Sequence, residues 1–155
     1  MGWPFSASAI LIALAGALLL AGGIEDARHR TIGNGKNAAL ALLAPIWWWA
    51  NGLAPWPDMA IQFGLACLLF LPFVGLFVMG RMGGGDVKML GALALWLPLG
   101  TFTQMLVVMS LAGGAITLLL MIEAKWRRTS IAAVEVPYGV AIAGAAIALL
   151  PGTVS

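Results

Sequence analysis

The sequence contains few charged residues, and this scarcity excludes most classes of soluble protein. Only 9% of its 155 residues are charged, 62% are hydrophobic, and the mean hydropathy is +1.01. A soluble domain carries about 25% charged residues. The composition therefore predicts an integral membrane protein in which residues 1–155 form one membrane-embedded domain. The basic residues form no run of the kind that binds nucleic acid, so we expect no nucleic-acid partner.

Residues that bind metals or form disulfides are also scarce. The chain has one cysteine, Cys67, and one histidine, His29. A single cysteine makes no internal disulfide, and no CxxC pair offers a zinc site. Cys67 lies within an apolar segment, where it is expected to behave as a small apolar residue. We therefore expect neither a metal nor a cofactor.

Six apolar segments predict an all-α bundle of six transmembrane helices. They cover residues 3–24, 37–50, 59–79, 87–99, 103–122 and 137–150. The first is long enough to cross a bilayer. The fourth would be only about 20 Å long, so we expect other helices to shield it. Trp47, Trp48 and Trp49, near the end of the second segment, suit the headgroup level of a bilayer.

The basic residues occupy alternate loops. The first, third and fifth loops hold all eight: Arg28, Arg30, Lys36, Arg81, Lys88, Lys125, Arg127 and Arg128. The termini and the two remaining loops hold none. Because Lys and Arg concentrate in cytoplasmic loops, we predict that the odd-numbered loops face the cytoplasm and that both termini lie outside it.

A glycine-rich stretch, Gly-Gly-Gly-Asp-Val-Lys at residues 83–88, separates the third segment from the fourth. Consecutive glycines disfavour a helix, and irregular backbone at a membrane edge is tolerated where it lines a cavity or is buried in protein. The ionisable Asp86 is therefore a candidate functional residue. The alternative is that Asp86 caps the next helix by accepting hydrogen bonds from its first N–H groups.

The loop count places a second aspartate, Asp26, at the same membrane face as Asp86. Two neighbouring carboxylates in a low-dielectric pocket do not both ionise, so one keeps its proton. Such a pair can activate water and protonate a leaving amine, as in aspartyl proteases. At a helix N-terminus Asp86 would be the charged base, with Asp26 as the proton donor. The alternative for Asp26 is an interfacial charge paired with Arg28 or Arg30.

Three motifs in the chain resemble, in the same order, those of the type IV prepilin peptidase family. Residues 83–88 resemble its GxGD motif. Residues 26–34, Asp-Ala-Arg-His-Arg-Thr-Ile-Gly-Asn, resemble its first catalytic segment, although Gly33 stands where the pattern usually has proline. Residues 136–143, Val-Pro-Tyr-Gly-Val-Ala-Ile-Ala, resemble the start of its last helix. The chain most resembles the short form associated with Flp (tight-adherence) pili.

This resemblance implies an aspartyl endopeptidase of the bacterial inner membrane that removes the basic leader of a prepilin at the cytoplasmic face. It implies a catalytic pair, Asp26 and Asp86, supported by Gly83, Gly84, Gly85, Lys88, Asn34, Pro137, Tyr138 and Gly139. Longer relatives carry an N-terminal domain with paired cysteines and also methylate the new pilin N-terminus. We expect this chain to cleave without methylating.

Two glutamates in the predicted loop between the fifth and sixth segments, Glu123 and Glu135, are candidates for binding the basic leader. Pairing with Lys125, Arg127 or Arg128 is the alternative. The rival functions are a presenilin-like intramembrane aspartyl protease, which has its aspartates within the spans, and a small non-enzymatic transport or assembly subunit. The sequence carries no signal of oligomeric state.

Overall fold

A computed structural model describes residues 7–128 and 136–153. The α-helices of these residues are α1 (Ala7–His29), α2 (Asn34–Ala50), α3 (Ala60–Val78), α4 (Gly84–Trp96), α5 (Leu99–Trp126) and α6 (Tyr138–Leu149). A π-helical turn, Pro55–Met59, precedes α3, and a 3-10 turn, Leu150–Thr153, follows α6. The two described stretches contain no β-strand. The predicted all-α membrane bundle is confirmed.

The short helix α4 lies at the centre of the bundle. Helices α2, α3 and α6 pack against it, α1 packs on α2 and α6, and α5 packs mainly on α6. Seven of the thirteen residues of α4 are buried. Other helices therefore shield the short fourth segment, as the sequence predicted.

Tryptophan side chains join α2 to α4. The indole N–H of Trp48 donates to a backbone carbonyl of α4 at 2.7 Å, and that of Trp96 donates to one of α2 at 2.8 Å. The ring of Trp47 stacks on Trp96, with 5.3 Å between centroids. Of the three adjacent tryptophans of α2, Trp47 and Trp48 are buried and Trp49 is exposed. Two of the three tryptophans therefore pack on protein, and the position of this cluster at headgroup level stays a prediction.

Three segments are long and apolar enough to cross a bilayer: Ala7–His29, Pro55–Val78 and Leu99–Trp126. The last two are mostly exposed to the surroundings of the bundle. Because lipid tails are as apolar as leucine side chains, such surfaces need no protein cover in a membrane. The shorter helices lie closer to the middle of the bundle, where protein covers more of their surface.

Several helix ends differ from the predicted boundaries. Helix α1 continues beyond residue 24 to His29, and α2 begins at Asn34 rather than residue 37. Helix α4 begins at Gly84, so two of the three glycines lie in its first turn. Helix α5 continues past residue 122 to Trp126. The apolar segments matched the most hydrophobic parts of the helices, whereas helical hydrogen bonding continues into their polar ends.

Candidate active site

Asp26 is a buried carboxylate near the end of α1, with a relative exposure of 6%. The helix continues for three residues before Arg30 turns into the left-handed region at φ 54°. Within residues 7–128 and 136–153, Asp26 forms no ion pair with Arg28 or Arg30, and its Oδ2 has no hydrogen-bond partner. The predicted interfacial pairing is thus not observed. A buried polar atom without a partner is costly, and it is characteristic of a site that binds something else.

The N-terminus of α6 faces the Asp26 carboxylate. The backbone N–H groups of Gly139 and Val140 are directed towards it, without reaching hydrogen-bond geometry at Oδ2. A Cβ atom on Gly139 would lie 2.9 Å from both Cγ and Oδ2 of Asp26. Only glycine allows this approach. The partial positive charge of the helix N-terminus favours a negative charge on Asp26.

The first turn of α4 brings Asp86 to the same place. Asp86 is the third residue of the helix, after Gly84 and Gly85, and precedes the apolar stretch at residues 87–99. Burial raises the pKa of Asp86, and the negative charge of nearby Asp26 raises it further, to about 6. Its carboxylate accepts no hydrogen bond from the first N–H groups of α4 in the part of the chain that the structure describes. The capping alternative is therefore not observed.

The electrostatic surroundings oppose the predicted division of roles between the two aspartates. Asp86 was expected to be charged because it lies in the first turn of its own helix, yet its pKa is raised. Asp26 was expected to hold the proton because it follows a helix C-terminus, yet it faces the N-terminus of α6. The N-terminus of α6, which is not recognisable from local sequence, opposes the expectation for Asp26, while burial acts against the charged form of both carboxyl groups.

Ile32 packs at the junction of α1, α4 and α6, beside the carboxylates. It is buried although it lies in the polar loop between α1 and α2. Its atoms come within 3.6, 3.0 and 2.7 Å of Cβ positions built on three glycines, one from each helix: Gly22, Gly85 and Gly139. A side chain at Gly85 or Gly139 would displace Ile32, so these glycines are needed for close packing around Asp26.

Polar contacts hold the loop that carries Ile32. Glu25 Oε2 accepts hydrogen bonds from the backbone N–H of Gly33 at 2.8 Å and from Nζ of Lys36 at 2.7 Å. One residue further along α2, the buried amide of Asn37 donates to the backbone carbonyl of Gly85 at 3.1 Å. These contacts fix the start of α2 against both α1 and α4.

Sequence reasoning assigned no role to Glu25, Ile32 or Asn37, although Ile32 lies within the stretch that resembles the first catalytic segment. Ile32 is a single apolar residue in a polar loop, and Asn37 is a single amide at the start of an apolar segment. In both cases the available signal was a mismatch in polarity between the residue and its neighbours in the sequence. Glu25 carried no such signal, since its neighbours are also charged.

The first two glycines of the glycine-rich stretch make room for side chains. A Cβ atom on Gly83 would lie 3.3 Å from Oδ2 of Asp86, and one on Gly84 would lie 3.2 Å from the ring of Phe77. The prediction that these glycines interrupt a helix is therefore only partly right. Gly83 precedes α4, whereas Gly84 lies inside it and allows the end of α3 to approach.

Four other predicted residues lie around this centre. Lys88 Nζ donates to Oδ1 of Asn34 at 2.7 Å and links α4 to the start of α2. Pro137 precedes α6, and its carbonyl accepts a hydrogen bond from an amide of the first turn. The ring of Tyr138 packs towards Gly113 of α5, where a Cβ atom would lie 3.3 Å from it. These residues fix helices, and the structure shows none of them contacting the Asp26 or Asp86 carboxylate.

The structure does not bring Glu123 to the carboxylates. Glu123 lies ten residues beyond Gly113, which contacts Tyr138, so it is about 15 Å further along α5. Its Oε1 pairs with Nε of Arg127 at 2.9 Å, and both side chains are exposed. This ion pair corresponds to the alternative role for Glu123, pairing with a nearby basic residue instead of binding the leader. Glu135 lies outside the described residues.

A comparison with known families identifies the class of this protein. A sequence model of the type IV leader peptidase family matches residues 12–118, more than half of the chain. The chain belongs to the type IV leader peptidase family. The matched range includes both Asp26 and Asp86, whereas the start of α6 lies beyond the end of that range. No curated protein and no solved structure matches the chain.

Family membership implies a peptidase in a membrane setting with a prepilin as substrate. It decides against the non-enzymatic transport or assembly subunit. Among residues 7–128 and 136–153, no group of three or more His, Cys, Asp or Glu side chains could hold a metal ion. The groups that the structure brings together at the buried end of α1 are two carboxylates and a helix N-terminus.

Proposed function

We propose that this protein is an aspartyl endopeptidase that removes the basic leader of a Flp-type prepilin at the cytoplasmic face of the bacterial inner membrane. Asp26 and Asp86 are the catalytic pair. One observation carries the proposal: two carboxylates from helices distant in sequence lie close enough for their charges to interact, and Asp26, which faces the N-terminus of α6, has a buried oxygen without a hydrogen-bond partner among the described residues. If this region served packing alone, we would expect its buried carboxylates to have hydrogen-bond or ion-pair partners, or to be replaced by apolar side chains.

The proposed reaction uses one proton shared by the pair. Charged Asp26 takes a proton from a water molecule, whose oxygen bonds to the scissile carbonyl carbon, while Asp86 gives its proton to the carbonyl oxygen. When the C–N bond breaks, the proton on Asp26 passes to the leaving nitrogen and Asp86 recovers a proton from the new hydroxyl group. Both residues return to their starting states, and the N-terminus of α6 stabilises the charge on Asp26.

The presenilin-like alternative has one observation in its favour. Asp26 lies inside α1, which is a candidate membrane span, rather than beyond its end as the sequence predicted. Both kinds of enzyme would use the same pair of carboxylates. Family membership favours a prepilin substrate, and cleavage at the leader junction, rather than within an apolar helix, distinguishes the two.

Removing each carboxyl function tests the catalytic pair. Asp26→Asn and Asp86→Asn preserve side-chain shape, and each should abolish leader cleavage by purified protein. The double variant should lose little more, because residues that act as a unit are strongly non-additive. Asp58→Asn is the matched control, since Asp58 lies in the π-helical turn and accepts a hydrogen bond from Ala54. Near-normal turnover by either single variant would show that the pair is wrongly assigned.

The proposed orientation has support from the positions of the basic residues. Arg28 follows Asp26 in α1, Lys36 bonds to Glu25, and Lys88 lies in the first two turns of α4. These cations therefore lie at the end of the bundle that holds the carboxylates, which positive-inside bias assigns to the cytoplasm. Cysteines introduced at Asn51 and Thr129 in a Cys67→Ala background test this topology. Labelling of position 129 from outside the cell would overturn it.

The Flp substrate and the absence of methylation complete the proposal. A Flp-type prepilin and this protein, expressed together without other pilus proteins, should yield a pilin shortened by its leader. The mass of the product should match the unmodified N-terminus. A mass gain of one methyl group would contradict the second part without affecting the first.

A further inference from the structure

A second feature, separate from the carboxylates, is a groove of about 410 Å³ between α2, α3 and α4. Helices α2 and α3 both pack on α4 but hardly on each other, which leaves a gap between them. Each helix lines the gap with four residues at spacing i, i+3, i+4 and i+7. In α4 these are Lys88, Gly91, Ala92 and Leu95. The stripes of α2 and α3 begin at Asn34 and Phe63, so one continuous face of each helix forms the groove.

The groove lies on the opposite side of α4 from the candidate active site. Successive residues of a helix are rotated by about 100°, so Lys88 points about 200° away from Asp86. Asp86 interacts electrostatically with Asp26 of α1, whereas Lys88 bonds to Asn34 of α2. The groove is therefore a second concave surface rather than an extension of the first.

One end of the groove is cationic and the rest is apolar. Lys88 lies at this end and donates to the neutral side chain of Asn34. Lys36 and Arg127 each form an ion pair with a glutamate. Within the described residues, Lys88 has no carboxylate partner. Beyond Lys88 the walls consist mainly of alanine, phenylalanine and Cys67. This arrangement suits an amphiphile with an anionic head and an apolar tail.

The length and the walls of the groove suit an extended hydrocarbon chain. Each lining stripe from i to i+7 extends about 10 Å, and most of the side chains along it are apolar. Because the polar and cationic side chains are concentrated near one end, the groove complements a ligand whose charge is also at one end.

We propose that this groove is a binding site for one anionic phospholipid, with the headgroup phosphate at Lys88 and an acyl chain along α2, α3 and α4. Hydrocarbon contacts alone give no selectivity in a bilayer, because every apolar surface is already covered by lipid. Selectivity comes from the cation, since basic pockets between membrane helices bind anionic headgroups. The lipid would fill the gap between α2 and α3.

Photocrosslinking of the full chain in lipid nanodiscs tests this site. Phosphatidylglycerol and phosphatidylcholine probes with the same photoreactive acyl chain are compared, and crosslinks are mapped by mass spectrometry. Crosslinks to the Cys67 region should favour the anionic probe about five-fold, the ratio that one lysine near the surface supplies. The lipid-facing surface around Leu118 and Leu119 of α5, which is exposed, should show no preference.

Two pairs of variants separate the site from general lipid contact. Lys88→Gln should remove the anionic preference, whereas Lys125→Gln, at the end of α5, should leave it unchanged. Ala38→Phe narrows the groove and should reduce crosslinking at Cys67. Leu42→Phe on the same helix lies outside the groove and should not reduce it.

Several outcomes would overturn the proposal. One is an equal ratio of the two probes at the groove and on α5, and another is a preference that survives Lys88→Gln. Displacement of the lipid probe by excess inorganic phosphate would show a simple phosphate site. Displacement by a synthetic prepilin helix would show a substrate site. None of these readouts depends on cleavage, so the test is independent of the proposed peptidase activity.

Discussion

Ile32 and Gly139 touch at the centre of the candidate active site. A Cβ atom on Gly139 would lie 2.7 Å from Cδ1 of Ile32 and 2.9 Å from the carboxylate carbon of Asp26. The contact joins the loop after α1 to the start of α6, although more than one hundred residues separate them. The backbone of Gly139 therefore forms part of the surroundings of Asp26. Any side chain at position 139 would overlap Ile32 and Asp26.

Replacing Gly139 by alanine should disrupt the site. The added methyl group would overlap Ile32 and Asp26, and overpacking of this kind costs about 1–3 kcal/mol. We expect a lower thermal unfolding temperature in detergent and a severe loss of cleavage. Gly144→Ala is the control in the same helix, because no atom lies within 4 Å of its Cβ position. Equal behaviour of the two variants would contradict the packing described for Gly139.

Glu25→Gln should weaken the loop that carries Ile32. The substitution removes the charge that binds Lys36 and weakens the hydrogen bond from the Gly33 amide. Because Glu25 acts through Ile32 rather than on substrate, we expect kcat to fall more than KM rises, together with a lower unfolding temperature. Glu123→Gln breaks an exposed ion pair and should leave the unfolding temperature unchanged. Unaltered kcat in Glu25→Gln would exclude a positioning role.

The sequence predicted the helices well because hydrophobicity is a local property. All six apolar segments became helices, and the short fourth segment, which forms α4, is surrounded by other helices. The two aspartates were placed on one face from the distribution of Lys and Arg alone. The structure brings both into the region where α1, α4 and α6 meet.

The sequence could not predict what neighbouring helices contribute to each site residue. The backbone N–H groups that favour a charge on Asp26 belong to the N-terminus of α6, more than one hundred residues away. The burial of Trp47 depends on stacking against Trp96 of α4. The fit of Ile32 depends on two glycines in two different helices, Gly85 of α4 and Gly139 of α6. Each is a tertiary contact, which no composition or local spacing encodes.

Binding of the basic leader by Glu123 and Glu135 remains a prediction. Glutamine at both positions should raise KM for a leader rich in Lys and Arg, most strongly at low salt, because charge complementarity mainly improves encounter and orientation. A leader with its basic residues replaced by glutamine is the control and should respond little. If the double variant cleaves the basic leader normally at low salt, the ion pair of Glu123 with Arg127 is the whole role of that residue.

The titration of Asp86 should report directly on its contact with Asp26. Burial and the neighbouring negative charge raise the pKa of Asp86 to about 6, so Asp86 should keep its proton to a higher pH than an ordinary aspartate. If this proton is the one used in cleavage, activity should fall as pH rises above about 6. Infrared spectroscopy of the protonated carboxyl band, assigned by its loss in Asp86→Asn, measures the titration without requiring activity.

Asp26→Asn provides the decisive comparison for this titration. It removes the neighbouring charge while the burial of Asp86 remains, so the ionised form becomes easier to reach and the midpoint should move to lower pH. The two carboxylates of the unsubstituted protein titrate as a pair, so the shift measures their coupling. Asp58→Asn should leave the midpoint in place. An unchanged midpoint in Asp26→Asn would mean that burial alone raises the pKa of Asp86, and the two carboxylates would then be too far apart to share a proton.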